Sequence, residues 1–377
     1  MQRDFVIIGG GISGAAAAYF LSPLGSVALL EQEEQFGAHS SGRTAGQFTV
    51  GITADRMRAM AGASRSFFVA PPEGFAETPL VERRGSLTVG RAEQKAALDR
   101  LDERVRTAGG TSEMVDRDGA LALFPALRPD HVDLGVYEVD ALDIDVHVLL
   151  QGYLKGARQN GAVLATGNGI RGISHRGGEW HVETGEESYH APVLVNAAGG
   201  WTDAIAALAG QRPVGIQPYR RTAFTFSLLP DGLGADWPHV TTADYTWYIK
   251  PEAGCFMGSP ADAVAVEPGE MYPDYIDVAQ GIHNIEQDTT LTITRPLSSW
   301  AGMRSFVPDR NPVCGVRAEA PGFIWMTGQG GCGVLTSPAM GQAVAAIAQN
   351  AALPDGLAAL GLTTASLSPE RESLLAA

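Results

Sequence analysis

The sequence is poor in cysteine. Only Cys255, Cys314 and Cys332 occur among 377 residues, and no two of them have the CxxC spacing. An even disulfide framework is therefore excluded, which predicts a reducing compartment. We expect a cytoplasmic protein, with attachment to the periphery of the inner membrane as the alternative.

Positive charge is also scarce. The chain has 27 Lys and Arg against 42 Asp and Glu, a formal net charge of −15. This balance argues against binding nucleic acid or an anionic membrane through a general electrostatic field. Small molecules are therefore the expected partners. A hydrophobic content of 45% with 18% charged residues excludes a disordered chain.

Long apolar runs are missing too. No uninterrupted stretch of about 18 strongly apolar residues occurs, so no membrane span is predicted. Residues 5–21 could suggest a signal peptide, but Asp4 precedes them and spaced glycines interrupt them. The eight histidines lack metal-ligand spacing, and no nucleophile elbow or Cys–His pair is evident. We therefore expect no metal site and no hydrolytic chemistry.

A glycine-rich turn near the start is the strongest positive signal. Residues 4–9 form an apolar strand that runs into Gly9-Gly-Gly-Ile-Ser-Gly14, and an alanine-rich helical stretch follows. In this pattern Gly9 permits the turn, Gly11 lets the backbone approach a pyrophosphate, and Gly14 lets the helix pack closely. Glu31 ends a second strand, where its carboxylate can accept the ribose hydroxyls. The pattern predicts a Rossmann-like dinucleotide site.

Two later segments repeat the order of strand, small residues and helix. Residues 192–199 read as a buried strand before a helix at 201–208, and residues 323–327 precede a glycine cluster and a helix at 336–349. Helices are also predicted at 91–108, 116–124, 145–160 and 275–285, and β-rich segments between 215 and 259. The length favours two domains, so we expect a mixed α/β fold.

Five motifs occur in the order found in flavoproteins that oxidise amino acids. They are the glycine unit with Glu31, His39-Ser-Ser-Gly-Arg43, Val195-Asn-Ala-Ala-Gly199, Trp300-Ala-Gly-Met-Arg-Ser-Phe306 and Gly328-Gln-Gly-Gly-Cys-Gly-Val-Leu-Thr336. The chain resembles the D-amino-acid oxidase superfamily, in particular bacterial FAD-dependent D-amino-acid dehydrogenases of the D-arginine dehydrogenase type. The resemblance runs from about residue 4 to residue 350.

A GxGxxG turn alone could serve either FAD or NAD. The resemblance, which includes the later motifs, implies FAD as the cofactor. It implies an FAD-binding domain of residues 1–50, 140–214 and 296–377, and a β-sheet-rich substrate domain of residues 51–139 and 215–295. Gly302 stands about where sarcosine-oxidase relatives carry a flavin-tethering cysteine, so FAD is expected to be noncovalent. The expected cofactor-binding residues are Gly9, Gly11, Ile12, Ser13, Gly14, Glu31, Gln32, Ser40, Ser41, Arg43, Thr44, Ala45, Gly46, Gln47, Ala198, Gly199, Trp201, Gly302, Arg304, Gly330, Gly331, Gly333, Val334, Leu335 and Thr336.

Two arginines are candidates for holding a substrate carboxylate through a bidentate guanidinium. Arg221 and Arg304 lie in segments otherwise poor in charge, although a structural ion pair or a solvated edge is the alternative for each. Arg220 and Arg221 are adjacent on a predicted strand and so point to opposite faces; the resemblance selects Arg221. It also implies that Tyr248 binds the carboxylate, whereas packing is the alternative for a strand tyrosine.

The side-chain pocket departs from the D-arginine type. Gln47 and Ile52 stand where that type has histidine and tyrosine, Ser86 where it has glutamate, and Leu335 where it has glutamine. Loss of the glutamate removes the partner for a cationic side chain. We therefore expect a neutral, small or apolar D-amino acid, or a related secondary amine.

The expected reaction is hydride transfer from the amino acid to flavin N5, giving an imino acid that hydrolyses to a 2-oxo acid and ammonia. Arg221, Tyr248 and Arg304 are the expected catalytic residues. The electron acceptor is left open among a quinone, another carrier and oxygen. Two alternatives are a sarcosine-type oxidase of N-alkyl amino acids and a noncatalytic flavin-binding subunit.

Overall fold

The computed structural model describes residues 1–185 and 187–375. Within these residues the strands are Phe5–Ile8 (β1), Val27–Leu30 (β2), Gln47–Phe48 (β3), Val81–Arg83 (β4), Ser86–Gly90 (β5), Ser112–Asp116 (β6), Leu134–Glu138 (β7), Leu142–Ile144 (β8), Val163–Ala165 (β9), Ile170–Arg176 (β10), Glu179–Thr184 (β11), Ser188–Ala191 (β12), Val193–Asn196 (β13), Gln217–Ser227 (β14), His239–Thr242 (β15), Tyr248–Glu252 (β16), Cys255–Ser259 (β17), Val264–Ala265 (β18), Ser298–Phe306 (β19), Val313–Gly315 (β20) and Phe323–Thr327 (β21).

The α-helices of the same described residues are Ile12–Leu21 (α1), Asp55–Val69 (α2), Lys95–Thr107 (α3), Arg117–Leu123 (α4), Val146–Gln159 (α5), Thr202–Leu208 (α6), Tyr275–Asp288 (α7), Gly333–Ala348 (α8), Asp355–Ala358 (α9), Thr364–Leu367 (α10) and Glu372–Leu375 (α11). No helix in the described part of the chain is long and apolar enough to cross a membrane.

A six-stranded sheet, in the order β20-β21-β13-β1-β2-β9, carries the glycine turn. Its strands are parallel except for β20, and β1 lies between β2 and β13. Residues of β1 alternate between two cores, because successive strand side chains point to opposite faces. Phe5 and Ile7 join the core with α1, α5 and α8, whereas Val6 and Ile8 join the core beneath the three-stranded sheet β10-β11-β12. The predicted Rossmann-like α/β architecture is confirmed.

A nine-stranded sheet forms the second large unit, in the order β18-β14-β17-β16-β15-β5-β7-β6, with β19 pairing with β14. Helices α4 and α7 contribute Ala120, Val278 and Ile285 to the core on this sheet. A further small sheet has the order β3-β8-β4. The β-rich segments predicted between residues 215 and 259 therefore belong to a large mixed sheet.

Some elements differ from the sequence prediction. Helix α1 begins at Ile12 and α8 at Gly333, three residues before each expected start. Packing of the buried residues in these first turns, namely Ile12, Gly14, Val334 and Leu335, outweighs the low helix propensity of glycine. Helix α2 and the long strand β19 carry no clear sequence periodicity and were not predicted as such. The discontinuous domain boundaries stay a prediction, although β19, within the expected cofactor segment 296–377, pairs with β14 of the large sheet.

Candidate active site

The glycine turn between β1 and α1 has a geometry that side chains would prevent. Gly9 has φ +107°, and a Cβ there would lie 2.5 Å from the carbonyl oxygen of Ala197. A Cβ on Gly14 would lie 1.8 Å from the carbonyl oxygen of Gly9. The helix consequently starts directly against the sheet, and its first amides face a cleft at the carboxyl ends of the parallel strands.

Glu31 follows β2 at the rim of this cleft and is 9% exposed. Its Oε2 accepts a hydrogen bond from the Gly10 amide at 2.6 Å, and its Oε1 accepts one from the Glu33 amide at 2.9 Å. Each carboxylate oxygen can accept a further bond. The carboxylate is thus fixed in place while it can still bind ribose hydroxyls.

The cleft has a volume of about 310 Å³. A second cavity of about 70 Å³ extends from it towards Arg221, Tyr248 and Arg304. The two share lining residues in the glycine turn, the following loop and the last glycine cluster, namely Ile12, Ser40, Ser41, Met303, Gly330 and Gly333. One continuous groove therefore joins the ribose end, marked by Glu31, to the two arginines, as an extended dinucleotide cofactor requires.

Most of the predicted cofactor residues line this groove. They are Gly9, Gly11, Ile12, Ser13, Glu31, Gln32, Ser40, Ser41, Arg43, Thr44, Ala45, Ala198, Gly199, Trp201, Gly302, Arg304, Gly330, Gly331, Gly333 and Val334. The remaining predicted cofactor residues lie outside the lining of the groove; they are Gly14, Gly46, Gln47, Leu335 and Thr336. Thr336 donates its hydroxyl to the Cys332 carbonyl at 2.8 Å.

Arg43 lines the groove but its guanidinium is engaged with protein groups. Nη1 donates to the carbonyls of Met271 and Ala301 at 3.0 Å each, and Nη2 pairs with Glu270. Its contribution in this structure is therefore to hold the loop of residues 38–46 against β19 and the segment around Glu270. A direct contact of Arg43 with the cofactor stays a prediction.

Strand pairing brings the two candidate arginines together. In the register of β14 and β19, Arg304 is opposite Tyr219 and Arg221 is opposite Gly302. Arg221 and Arg304 are therefore diagonal neighbours on one face of the sheet. Arg220 points the other way, where Nη2 pairs with Asp277 and Nε lies 3.7 Å from Asp262.

The charge of Arg221 is poorly compensated. Its Nε and Nη1 are shielded from solvent and have no hydrogen-bond partner among the described residues. Burial, and then the charge of Arg304, lower the pKa of Arg221. Burial also acts against the charge of Arg304, but the phenols of Tyr245 and Tyr248 outweigh it and raise the pKa of Arg304. Two cations thus lie side by side without a carboxylate between them.

Tyr248 lines the same cavity and is 3% exposed. Its ring stacks on His239, with centroids 5.5 Å apart. Burial and the nearby Lys250 lower the pKa of His239 to about 3, so this histidine is neutral. Nδ1 of His239 is 3.4 Å from the Ser86 hydroxyl. Ser86 therefore lies behind Tyr248, one layer from the cavity.

The other predicted pocket residues lie outside the lining of the two cavities. Gln47 is in β3 opposite Asp143, and its Nε2 is buried without a partner among the described residues. Ile52 packs against the core beneath α1, and Leu335 is 5% exposed in that core. Their contact with a substrate side chain stays a prediction.

Sequence reasoning missed two residues of the site. Tyr245 has its ring 5.4 Å from the guanidinium carbon of Arg221. Cys332 lies near Arg304, and burial raises its thiol pKa to about 11, so it is a neutral thiol. Cys332 occurs within the last glycine motif quoted above, whereas nothing in the local sequence distinguishes Tyr245 from Tyr248.

This combination of a glycine turn, an acidic residue after the second strand and a long groove ending at buried arginines defines an FAD-dependent oxidoreductase. The family described as FAD dependent oxidoreductase, abbreviated DAO, matches residues 4–347. The chain belongs to this family, and its cofactor is FAD. The groove fits that cofactor because its glycines leave room for backbone approach and its arginine end offers a second compartment.

Relatives and solved structures are consistent with the assignment. Hydrogen cyanide synthase subunit HcnC of Pseudomonas aeruginosa is 23% identical over 397 residues, covering 93% of each chain. Dimethylglycine dehydrogenase of Rattus norvegicus is 26% identical over 274 residues, covering 70% of this chain but 31% of that protein. L-proline dehydrogenase from P. horikoshii has the same fold, with a TM-score of 0.84, 21% identity and coverage of 98% and 97%.

Proposed function

We propose that this protein oxidises a neutral, small or apolar D-amino acid, with Arg221, Arg304 and Tyr248 holding the substrate carboxylate. The observation that carries the proposal is the guanidinium of Arg221, beside Arg304, whose Nε and Nη1 are buried without a hydrogen-bond partner among the described residues. A buried cation without a counter-ion is costly. A substrate carboxylate would supply the missing charge and accept the unsatisfied N–H groups.

The location of these arginines supports an oxidation rather than simple binding. The cavity that they line is continuous with the cofactor groove, so a carboxylate held there places its α-carbon next to the cofactor. When bound, FAD would supply the acceptor for the hydride that leaves the α-carbon, and a quinone, another carrier or oxygen would be the final electron acceptor. The imino acid then reacts with water to give a 2-oxo acid and ammonia.

The chain's own contribution in this proposal is orientation and electrostatics. Among the described residues that line the arginine cavity there is no Asp, Glu, His or Lys. Removal of the amine proton is therefore assigned to solvent before hydride transfer. Two guanidinium groups at this position also favour the deprotonated amine, since they repel an ammonium group.

The same lining supports a neutral substrate side chain. We call Arg221, Arg304 and Tyr248 the carboxylate clamp. A cationic substrate side chain would need a carboxylate near this clamp, and an anionic side chain would compete with the substrate carboxylate for the same arginines. Ser86, Gln47, Ile52 and Leu335 are uncharged at the positions where the resemblance places the side-chain pocket.

A secondary amine is the second candidate substrate class. Dimethylglycine dehydrogenase and N-methyl-L-tryptophan oxidase are among the relatives, and an iminodiacetate oxidase shares the fold. All three names denote an N-alkylated amino acid as substrate. The carboxylate clamp would serve both classes, so the two proposals differ in what binds at the nitrogen.

The test is anaerobic reduction of the FAD-loaded protein. We expect D-alanine or another neutral D-amino acid to bleach the visible flavin band, with ammonia and a 2-oxo acid as products. Sarcosine bleaching would favour the second candidate, with formaldehyde and glycine as products if the N-methyl carbon is oxidised, or methylamine and glyoxylate if the α-carbon is oxidised. Bleaching by L-enantiomers alone would refute the D preference.

Replacement of Arg304 provides the control for the clamp. The FAD-loaded Arg304→Met variant should bind flavin but require far more substrate for bleaching. Failure of the wild-type protein with every amino acid and secondary amine, despite bound FAD, would instead support a noncatalytic flavin-binding subunit.

A further inference from the structure

The turn of residues 243–247, between β15 and β16, carries a tyrosine in an unusual backbone conformation. Tyr245 has φ +58°, in the left-handed region that is strained for a residue with a side chain. Its amide donates to the Thr242 carbonyl at 2.9 Å, and the Thr246 amide donates to the Thr242 hydroxyl at 3.0 Å. Asn284 of α7 donates to the Thr246 carbonyl at 3.0 Å. These bonds hold the turn in this conformation.

This conformation directs the Tyr245 side chain into the clamp. Although 44% of the residue is exposed at the turn, its ring lies 5.4 Å from the guanidinium carbon of Arg221. The ring also stacks on Tyr248, with centroids 6.0 Å apart and an interplanar angle of 27°. The charges of Arg304 and Arg221 both act on the phenol and lower its pKa. The Tyr245 side chain is thus beside both cations of the clamp.

The electrostatic surroundings of the phenol come from four elements. Arg221 on β14, Arg304 on β19, Tyr248 on β16 and Cys332 before α8 face the site. Burial would raise the pKa of Tyr245 and Cys332 acts in the same direction, but the charges of Arg304 and Arg221 outweigh both and lower it. The phenol oxygen is therefore the nearest substitute for an anion that the protein itself offers to the clamp.

We propose that Tyr245 occupies the carboxylate position of the clamp in the substrate-free protein, so that a substrate carboxylate must displace its phenol to bind. This inference rests on the proposed function of Arg221 and Arg304. A phenol satisfies these arginines less well than a carboxylate does, because it offers one oxygen and is mostly neutral near pH 7. Displacement by a carboxylate is therefore favourable.

Tyr245 would then contribute to specificity. An ester or amide of the same amino acid carries no anionic oxygen and cannot replace the phenol beside two guanidinium groups. Tyr245 thus favours ligands with a free carboxylate, because a ligand that binds the two guanidinium groups more weakly than the phenol does cannot displace it. Because 44% of Tyr245 is exposed, the residue adjoins solvent, and its phenol has room to leave without unpacking the sheet.

The inference gives a pH dependence with a definite sign. Above its lowered pKa the phenol becomes an anion and competes more strongly for the arginines. Each pH unit above that pKa should weaken the apparent affinity for a carboxylate by up to about tenfold, because only the protein with a neutral phenol is readily displaced. Below that pKa, affinity should be independent of pH.

Calorimetric titration with acetate tests this without relying on turnover. Acetate carries only the carboxylate and has no amine that titrates in the same range. The FAD-loaded wild type, Tyr245→Phe and Arg304→Met proteins would be compared at about pH 7 and about pH 9.5. Tyr272→Phe is the matched control, since Tyr272 is 72% exposed and lies outside the site.

We expect Tyr245→Phe to bind acetate about three- to tenfold more tightly than wild type near neutral pH, the equivalent of one lost competing hydrogen bond. Its affinity should also stay constant at the higher pH, while wild type and Tyr272→Phe weaken. Equal or weaker binding by Tyr245→Phe, or an unchanged pH slope, would refute the inference. If Arg304→Met alone abolishes acetate binding, the proposal that the two arginines bind a carboxylate is supported even where the proposal for Tyr245 is refuted. If the wild type binds no acetate at either pH, the proposal for the two arginines is refuted.

Discussion

Replacing Arg221 with methionine should stabilise the folded protein while it impairs the reaction. Its Nε and Nη1 are buried without partners, and an unsatisfied buried donor costs about 1–3 kcal/mol. The contact with the Tyr245 ring returns about 0.5–1 kcal/mol. Two such donors together cost about 2–6 kcal/mol, so removing the guanidinium should raise the free energy of unfolding by about 1–5 kcal/mol, since methionine fills a similar length with no buried charge.

The same substitution removes one partner of the proposed carboxylate. Truncating one member of a buried, hydrogen-bonded charge pair costs about 2–5 kcal/mol, so kcat/KM should fall by about 30-fold to several thousand-fold. The FAD-loaded wild type and Arg221→Met proteins would be compared by denaturant unfolding and by anaerobic flavin reduction. A gain in stability with a loss of activity is the expected pair of results.

Arg220→Met is the matched control, because Arg220 is the adjacent residue on the same strand. Its guanidinium pairs with Asp277 and lies 3.7 Å from Asp262, whose side chain is 8% exposed. Its loss leaves these carboxylates without their cation and should destabilise the protein, with little direct effect on the clamp. If Arg221→Met destabilises the protein as much as Arg220→Met does, the guanidinium of Arg221 is stabilising in the folded protein, and the premise of this prediction is wrong.

Two further predictions concern cofactor loading and acid stability. Gly14→Ala should prevent folding around FAD, because its Cβ would lie 1.8 Å from the Gly9 carbonyl oxygen. The Cβ of Gly11→Ala would meet only the Ser41 hydroxyl at 3.4 Å, so this variant should fold but bind less flavin. Soluble yield and flavin absorbance distinguish the two variants. Hydrogen bonds from Arg371 outweigh burial and lower the pKa of Asp309 to about 2, from 3.8. This carboxylate therefore contributes about 2 kcal/mol to the free energy of unfolding above pH 3.8, and this contribution is lost as the pH falls towards 2. Asp309→Asn should abolish that part of the pH dependence of unfolding in acid.

The cofactor half of the site could be predicted from local sequence because each of its signals is local. Gly9 and Gly14 lie within one turn, and Glu31 ends the next strand along the chain. Only glycine fits at these close backbone contacts, so sequence and geometry are closely tied. Residues 4–9 and 27–31, predicted as strands, occur as β1 and β2 within one residue at each end.

The substrate half depends on contacts between distant parts of the chain. Arg221 and Arg304 meet through the register of β14 with β19, which no periodicity in either strand specifies. Helix α2 was missed because its sequence mixes small, charged and apolar residues, and the core beneath α1 decides its position. The resemblance to known flavoproteins supported the choice of the arginines, but it gave no sign that Tyr245 lies beside them.

Choosing between Arg220 and Arg221 shows what kind of information was lacking. Strand alternation requires that one of them faces the cavity and the other faces away, but either assignment satisfies that rule. The structure separates them through Asp262 and Asp277, carboxylates far along the chain that pair with Arg220. The arginine without a carboxylate is the one left to bind a ligand. A search for functional arginines therefore gains more from locating each nearby acidic partner than from the arginine's own sequence neighbours.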